Sequence, residues 1–402
     1  MKKIILVLVL LSQSSFAGPL SFLAFGDSGY HEDFQKSDEK FGVSMQGWQE
    51  EAFEDGDVID GRPILPPLVR GRKPGLFIEK SGAKYVGNAM ARFCKTTRCD
   101  MAIVLGDNIY PNGAEPDNRN AERFHKILYL PFKDIAKNNK DFRFYAALGN
   151  HDWKISQELE YAEAKIRRNN STRGARAQIT YMARKDNRWV FNPTSNSPRR
   201  KTYYKFSKGD VDFFVIDTDR ILAAILVQDD DEPKKFKPAD APATIRELYY
   251  QMRWLRRALE ESKAKWKIVY GHHTLWSVGG TKHYQAMALR NAILKRLCQS
   301  ADMYIAGHEH DMEFHMAPCK NGPPLPHLVS GAGSKMRSVG LSNSSKRLMR
   351  EQKGILRFAK GMTWGFAHIT IENNFANLKL FSVDRQGRYK TIYKSKIKKR
   401  LY

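Results

Sequence analysis

Five short blocks constrain this chain more than any other feature: Gly26-Asp27-Ser28-Gly29, Gly106-Asp107-Asn108-Ile109-Tyr110, Gly149-Asn150-His151-Asp152, Gly271-His272-His273 and Gly307-His308-Glu309-His310. Each follows an apolar run of strand length, at 20–25, 101–105, 142–148, 267–270 and 303–306. Each ends in side chains that bind metal ions. Helical periodicity fills the intervals at 85–93, 243–261 and 285–297. A further apolar run at 211–216 ends at Asp217. Beyond the last block the pattern is strand only, at 326–329, 365–371, 376–383 and 389–393. Strand–helix alternation followed by strands predicts an α/β core with stacked sheets.

The 402 residues allow one large domain or two small ones. The first 17 read as an export signal: Lys2 and Lys3, a short apolar core at 4–11, and the small-x-small site Ser15-Phe16-Ala17. The expected location is therefore secreted or periplasmic, with cleavage near Ala17. No later stretch is apolar enough to span a bilayer. The rest, 18–395, is expected to be one catalytic domain with insertions near 33–75 and 228–242, then a basic strand or tail at 385–402. The second insertion carries Asp229-Asp230-Asp231-Glu232, which lacks EF-hand spacing and reads as a solvated loop. Four cysteines allow three pairings; proximity favours Cys94–Cys99 and Cys298–Cys319. The formal charge of +24 concentrates anionic ligands: phosphate esters, nucleic acid, anionic polymers or membrane surfaces. The basic tail reads equally as an edge strand whose charges block aggregation.

Asp, Asn and His suit Fe, Mn or Zn. A carboxylate can bridge two cations, and Asp107 is the natural bridge. Two cations about 3.5–4 Å apart can clamp a phosphoryl group and lower the pKa of water. Tyr110 lies three positions after Asp107. A phenol with a pKa near 10 ligates only a strong Lewis acid such as ferric iron; the alternative is an aromatic packed beside the loop.

The blocks resemble those of the purple acid phosphatases, within the calcineurin-like metallophosphoesterases, and most closely the tartrate-resistant type. The resemblance extends to Ala177-Gln178-Ile179-Thr180-Tyr181, Trp189, Tyr203-Tyr204, Ile216-Asp217-Thr218, Trp254-Leu255 and Val329-Ser330-Gly331-Ala332-Gly333. It implies a four-layer α/β/β/α sandwich of two mixed sheets. It implies Fe³⁺ held by Asp27, Tyr110 and His310, and a divalent ion (Fe²⁺, Zn²⁺ or Mn²⁺) held by Asn150, His272 and His308, with Asp107 bridging. His151 and His283 would assist the departing alkoxide; His273 has no implied role. Ser28, Tyr30, Trp153, the 33–75 insertion and a helical insert at 154–168 depart from the pattern and bear on substrate preference.

The implied activity is hydrolysis of phosphomonoesters, small molecules or phosphoproteins, by a metal-bound hydroxide. Two alternatives stand beside it. One is a phosphodiesterase or nucleotide hydrolase on the same fold. The other is a non-catalytic polyanion-binding protein.

Overall fold

The computed structural model describes residues 18–34, 81–111, 113–114, 120–153, 173–184, 187–195, 201–225, 242–280 and 282–401, with short strands between 43 and 78 and at 227–228 and 236–237. The expected signal at 1–17, the 154–168 insert and the acidic run of the second insertion lie outside the described residues.

Two seven-stranded sheets form the body. Their strands in chain order are β1 (Leu20–Phe25), β2 (Met101–Val104), β3 (Phe144–Ala146), β4 (Trp189–Val190), β5 (Tyr204–Lys208), β6 (Val211–Val215), β7 (Trp266–Tyr270), β8 (Met303–Ala306), β9 (Met312–Ala317), β10 (Leu325–Ser330), β11 (Leu356–Lys360), β12 (Trp364–Glu372), β13 (Phe375–Val383) and β14 (Tyr389–Lys398). The first sheet runs β14-β13-β12-β1-β2-β3-β4 and the second β5-β6-β7-β8-β10-β9-β11. In each, four strands are parallel and the rest pair antiparallel. The parallel sets are β1-β2-β3-β4 and β6-β7-β8-β10.

Strand alternation explains the layering. Phe213 and Val215 of β6, and Trp266, Ile268 and Tyr270 of β7, enter the core shared with Phe22, Phe144 and Ile369 of the first sheet. Phe214, Ile216 and Val269 point the other way, onto Leu255, Leu259, Leu289 and Ile293. Those leucines and Ile293 belong to helices α4 (Pro242–Glu261) and α5 (His283–Ser300); α1 (Ala83–Thr96), α2 (Arg173–Met182), α3 (Thr218–Ile225) and α6 (Asn343–Glu351) complete the set used below. Helix α1 covers the outer face of the first sheet, where Phe93 meets Phe366, Phe381 and Tyr389. The layers are therefore α/β/β/α. Across the sandwich, the Tyr204 hydroxyl donates to the Ala146 carbonyl at 2.7 Å and Tyr270 to Tyr145 at 3.0 Å.

The disulfides are Cys94–Cys99 and Cys298–Cys319. The basic tail forms β14, an edge strand paired on one side with β13. Buried Arg400 then donates to the carbonyls of Leu297, Cys298, Ala301 and Pro323, which ties the chain end to the second disulfide.

His368 of β12 is buried with Nε2 2.7 Å from Ser21 Oγ, and burial lowers its pKa to about 4. The unfolded chain binds a proton near pH 6.5 that the folded chain refuses, so stability present above that pH is lost as the pH falls. His368→Gln should shrink the loss of unfolding free energy between pH 7.5 and 5 by about 2 kcal/mol. Urea denaturation at the two pH values measures it; an unchanged difference would show that His368 does not carry the effect.

Candidate metal centre

Parallel strands of an α/β sheet leave a crevice beyond their carboxyl ends. Here the loops after β1, β2, β3, β7, β8 and β10 come from both sheets and meet at one point. The geometry strains the backbone: Asp27, Asp107, His308 and His310 have φ of 55°, 51°, 74° and 44°. Non-glycine residues rarely adopt that left-handed region, and those that do gather at functional sites. Gly106, at φ 87°, lies where a Cβ would come within 2.9 Å of His272 Nδ1, so only glycine lets these two loops touch.

Asp27 and Asp107 are almost fully buried. Tyr110 Oη lies 2.7 Å from Asp107 Oδ2, 3.1 Å from Asp27 Oδ1 and 3.2 Å from His310 Nε2. His272 Nε2 lies 3.1 Å from Asn150 Oδ1, 3.0 Å from His308 Nδ1 and 3.3 Å from Asp107 Oδ2. All seven expected ligands therefore come together: Tyr110 and His310 beside Asp27, His272 and His308 beside Asn150, and Asp107 between the groups. His273 is a third imidazole of the second group, its ring 4.2 Å from that of His308.

A surrounding shell orients these side chains. The carboxylate of Asp152 accepts the backbone N–H groups of Asn108, Ile109 and Gly149, pinning two loops together. Thr218 Oγ1 accepts the N–H of His272 and of His273. Leu105 O lies 2.9 Å from His272 Nδ1, and Gln285 Oε1 lies 2.8 Å from His308 Nε2. His151 donates its backbone N–H to Asp107 Oδ1 at 2.9 Å, and its ring packs 4.2 Å from that of Tyr110.

His283 does not join them. Among the described residues its neighbours are Tyr284 and the charges of Arg290, Glu351 and Arg347. The first turn of α5 turns Gln285 to His308 instead. The charge of Lys282 acts on His273, His308, His310 and Glu309. Lys335 places Nζ 5.4 Å from the ring centres of both Tyr30 and Tyr110. Sequence reasoning missed Lys282, Gln285 and Lys335; the glycine-rich run Val329–Gly333 was the one signal near the last of them.

Residues 56–312 match the calcineurin-like phosphoesterase family. The chain belongs to that family. Among curated relatives, human tartrate-resistant acid phosphatase type 5 is 24% identical over 350 residues, covering 82% of this chain and 94% of the relative. Purple acid phosphatase 3 of Arabidopsis thaliana is 30% identical over 242 residues, 59% of this chain and 54% of the relative. Two solved structures share the fold: GAP50, the anchor in the inner membrane complex of Plasmodium (TM-score 0.53, 16% identity, 95% of this chain and 89% of that one), and PhoD (TM-score 0.52, 13% identity, 94% and 72%).

Members of the calcineurin-like phosphoesterase family carry a binuclear metal centre, and the residues here fit one. Two buried carboxylates face each other across a phenol, and two imidazole nitrogens approach within 3.0 Å. Such donors hold together only through cations or protons. Without ions, protons take that place. Burial pushes Asp27 up to about 8 against the charge of His272. Burial would lower His272, but Asp107 outweighs it and raises the imidazole to about 10. Burial, then Asp107 and Asp27, push the Tyr110 phenol well above its usual range. Each proton must leave when an ion binds. Protein stripped by chelator should therefore reload more tightly at pH 8 than at pH 5, by about tenfold per pH unit for each proton displaced. Competition against a chromophoric chelator reads this directly; equal affinity at both pH values would contradict it.

Proposed function

We propose that the chain is an exported acid phosphatase of the purple type that hydrolyses phosphomonoesters. Asp27, Tyr110 and His310 hold Fe³⁺, Asn150, His272 and His308 hold a divalent ion, and Asp107 is shared. The observation that carries this reading is the Tyr110 hydroxyl, in contact with both carboxylates and His310. That placement puts the phenol oxygen where it would coordinate an ion held by the same carboxylates and imidazole. The relatives named for acid phosphatase activity support the same assignment. The basic, apolar start of the sequence and the two disulfides support export to an oxidising compartment.

Bound there, the two ions would polarise the phosphoryl oxygens and make water a stronger acid. The protein's own groups do the rest. Lys282 and Lys335 flank the centre and favour a dianionic monoester over a monoanionic diester. His151 sits at the rim with Nδ1 donating to the Pro111 carbonyl, and in its imidazolium form the Nε2–H would hand a proton to the departing ester oxygen. Asp107 orients His151 through its backbone N–H.

Two measurements test this. At about pH 5, where water acidified by the ions still supplies hydroxide, p-nitrophenyl phosphate should be cleaved faster than bis-p-nitrophenyl phosphate; the reverse order would replace the monoesterase with a diesterase. Asp107→Asn and His272→Ala should each lower turnover by at least about 10³-fold, with far-UV circular dichroism unchanged. Near-normal turnover in either variant would remove these residues from the mechanism. Tyr110→Phe should abolish the visible charge-transfer band of the iron-loaded protein. A band that survives would mean the phenol is not a ligand.

A further inference from the structure

A cleft of about 220 Å³ opens beside the metal centre, between the loop after β3 and helices α2, α3 and α4. Trp153, Tyr203 and Tyr250 give it aromatic walls, and Arg176, Lys201 and Arg220 give it positive charge. It adjoins the centre through two loops. Trp153 is two residues beyond His151. Arg220 is two residues beyond Thr218, which holds the backbone of His272 and His273.

The walls are chemically specific. The Arg220 guanidinium lies 4.8 Å from the centre of the Trp153 ring and is fixed by Glu247 at 2.7 Å. Among the described lining residues Glu247 is the one acid, so their three cations leave a net positive charge. Tyr203 packs on Trp254 at 4.9 Å, which stiffens that wall. Tyr250 is 48% exposed and lines the cleft, with Arg246 5.9 Å from its ring centre adding a further positive charge nearby. An exposed aromatic at the mouth of a cationic cleft is the arrangement that stacks a planar ring and holds an anion beside it. The volume is below the usual range of about 300–1,000 Å³ for a whole ligand. It suits one ring system whose phosphoryl group reaches the neighbouring centre.

We propose that this cleft is the leaving-group subsite, and that it takes an aromatic ring carrying a second anionic group. The proposal rests on the phosphatase reading above. In the reaction it serves, a water oxygen bonds to phosphorus as the bond from phosphorus to the leaving oxygen breaks. That oxygen departs with the electron pair and takes up a proton, and inorganic phosphate is the other product.

The test compares ADP, an anionic aromatic phosphate, with glycerol 3-phosphate, which has no ring, on the metal-loaded full chain. Tyr250→Ala should raise KM for ADP about tenfold more than KM for glycerol 3-phosphate, with kcat for ADP little changed, because one base–aromatic stack is worth about that much; Lys201→Ala should shift the two KM values apart in the same direction. Equal shifts for both substrates, or none, would overturn the subsite. Quenching of tryptophan fluorescence by ADP gives a second readout that needs no turnover. Saturable quenching that is lost in Trp153→Phe and weakened in Tyr250→Ala supports the subsite; absence of quenching overturns it. If the wild type cleaves neither substrate yet shows this quenching, the phosphatase reading fails and the binding site stands.

Discussion

The carboxylates of Asp27 and Asp107 are removed from water and placed against each other, a phenol and two imidazoles. Much of the architecture follows from this. Burying two like charges costs several kcal/mol per ion unless cations or protons compensate them. The chain accepts that cost only where strand ends of both sheets converge. It stores further strain in four left-handed backbone positions to aim the side chains inward. The sandwich core, with its cross-sheet bonds from Tyr204 and Tyr270, provides the rigidity that holds six loops in register.

The same convergence separates two tasks in space. Candidate ligands from the first sheet (Asp27, Asp107, Tyr110, Asn150) meet imidazoles from the second (His272, His308, His310) at the seam. The polar shell behind them, Asp152, Thr218, Gln285 and Leu105, fixes orientation without touching solvent-side chemistry. On the open side, Lys282, Lys335 and His151 form the rim, and the aromatic cleft lies beyond it. On the proposed reading, charge attraction acts on the phosphoryl group, and selection among leaving groups falls to surfaces farther out.

The strands that end in ligands were legible in the sequence because each is a short apolar run stopped by glycine. Observed β1 and β8 have the expected bounds, β12 and β13 each begin one residue earlier than expected, and β14 begins as expected but continues to Lys398 instead of stopping at Tyr393. Strand β9 was not legible. Its Glu313 and His315 break the apolar run, yet both are fully buried and paired at 2.6 Å, so the polar residues hide a buried strand. Edge strand β11, half exposed on both faces, carries no clear period either. The residues that gather at the cluster were legible from residue type, whereas the rim was not: spacing after Gly271-His272-His273 cannot tell which residue of the next helical turn faces the centre. Helix α5 begins at His283, and that start directs Gln285 inward while His283 packs toward α6.

The central claim is that one buried cluster holds two different ions. Metal content per folded chain, by mass spectrometry of protein purified without added metal, tests it most directly. The account predicts two ions per chain, at least one of them iron, with both sites emptied together by Asp107→Asn because that carboxylate is shared. An active, folded protein carrying a single ion, or two ions that survive loss of Asp107, would contradict it.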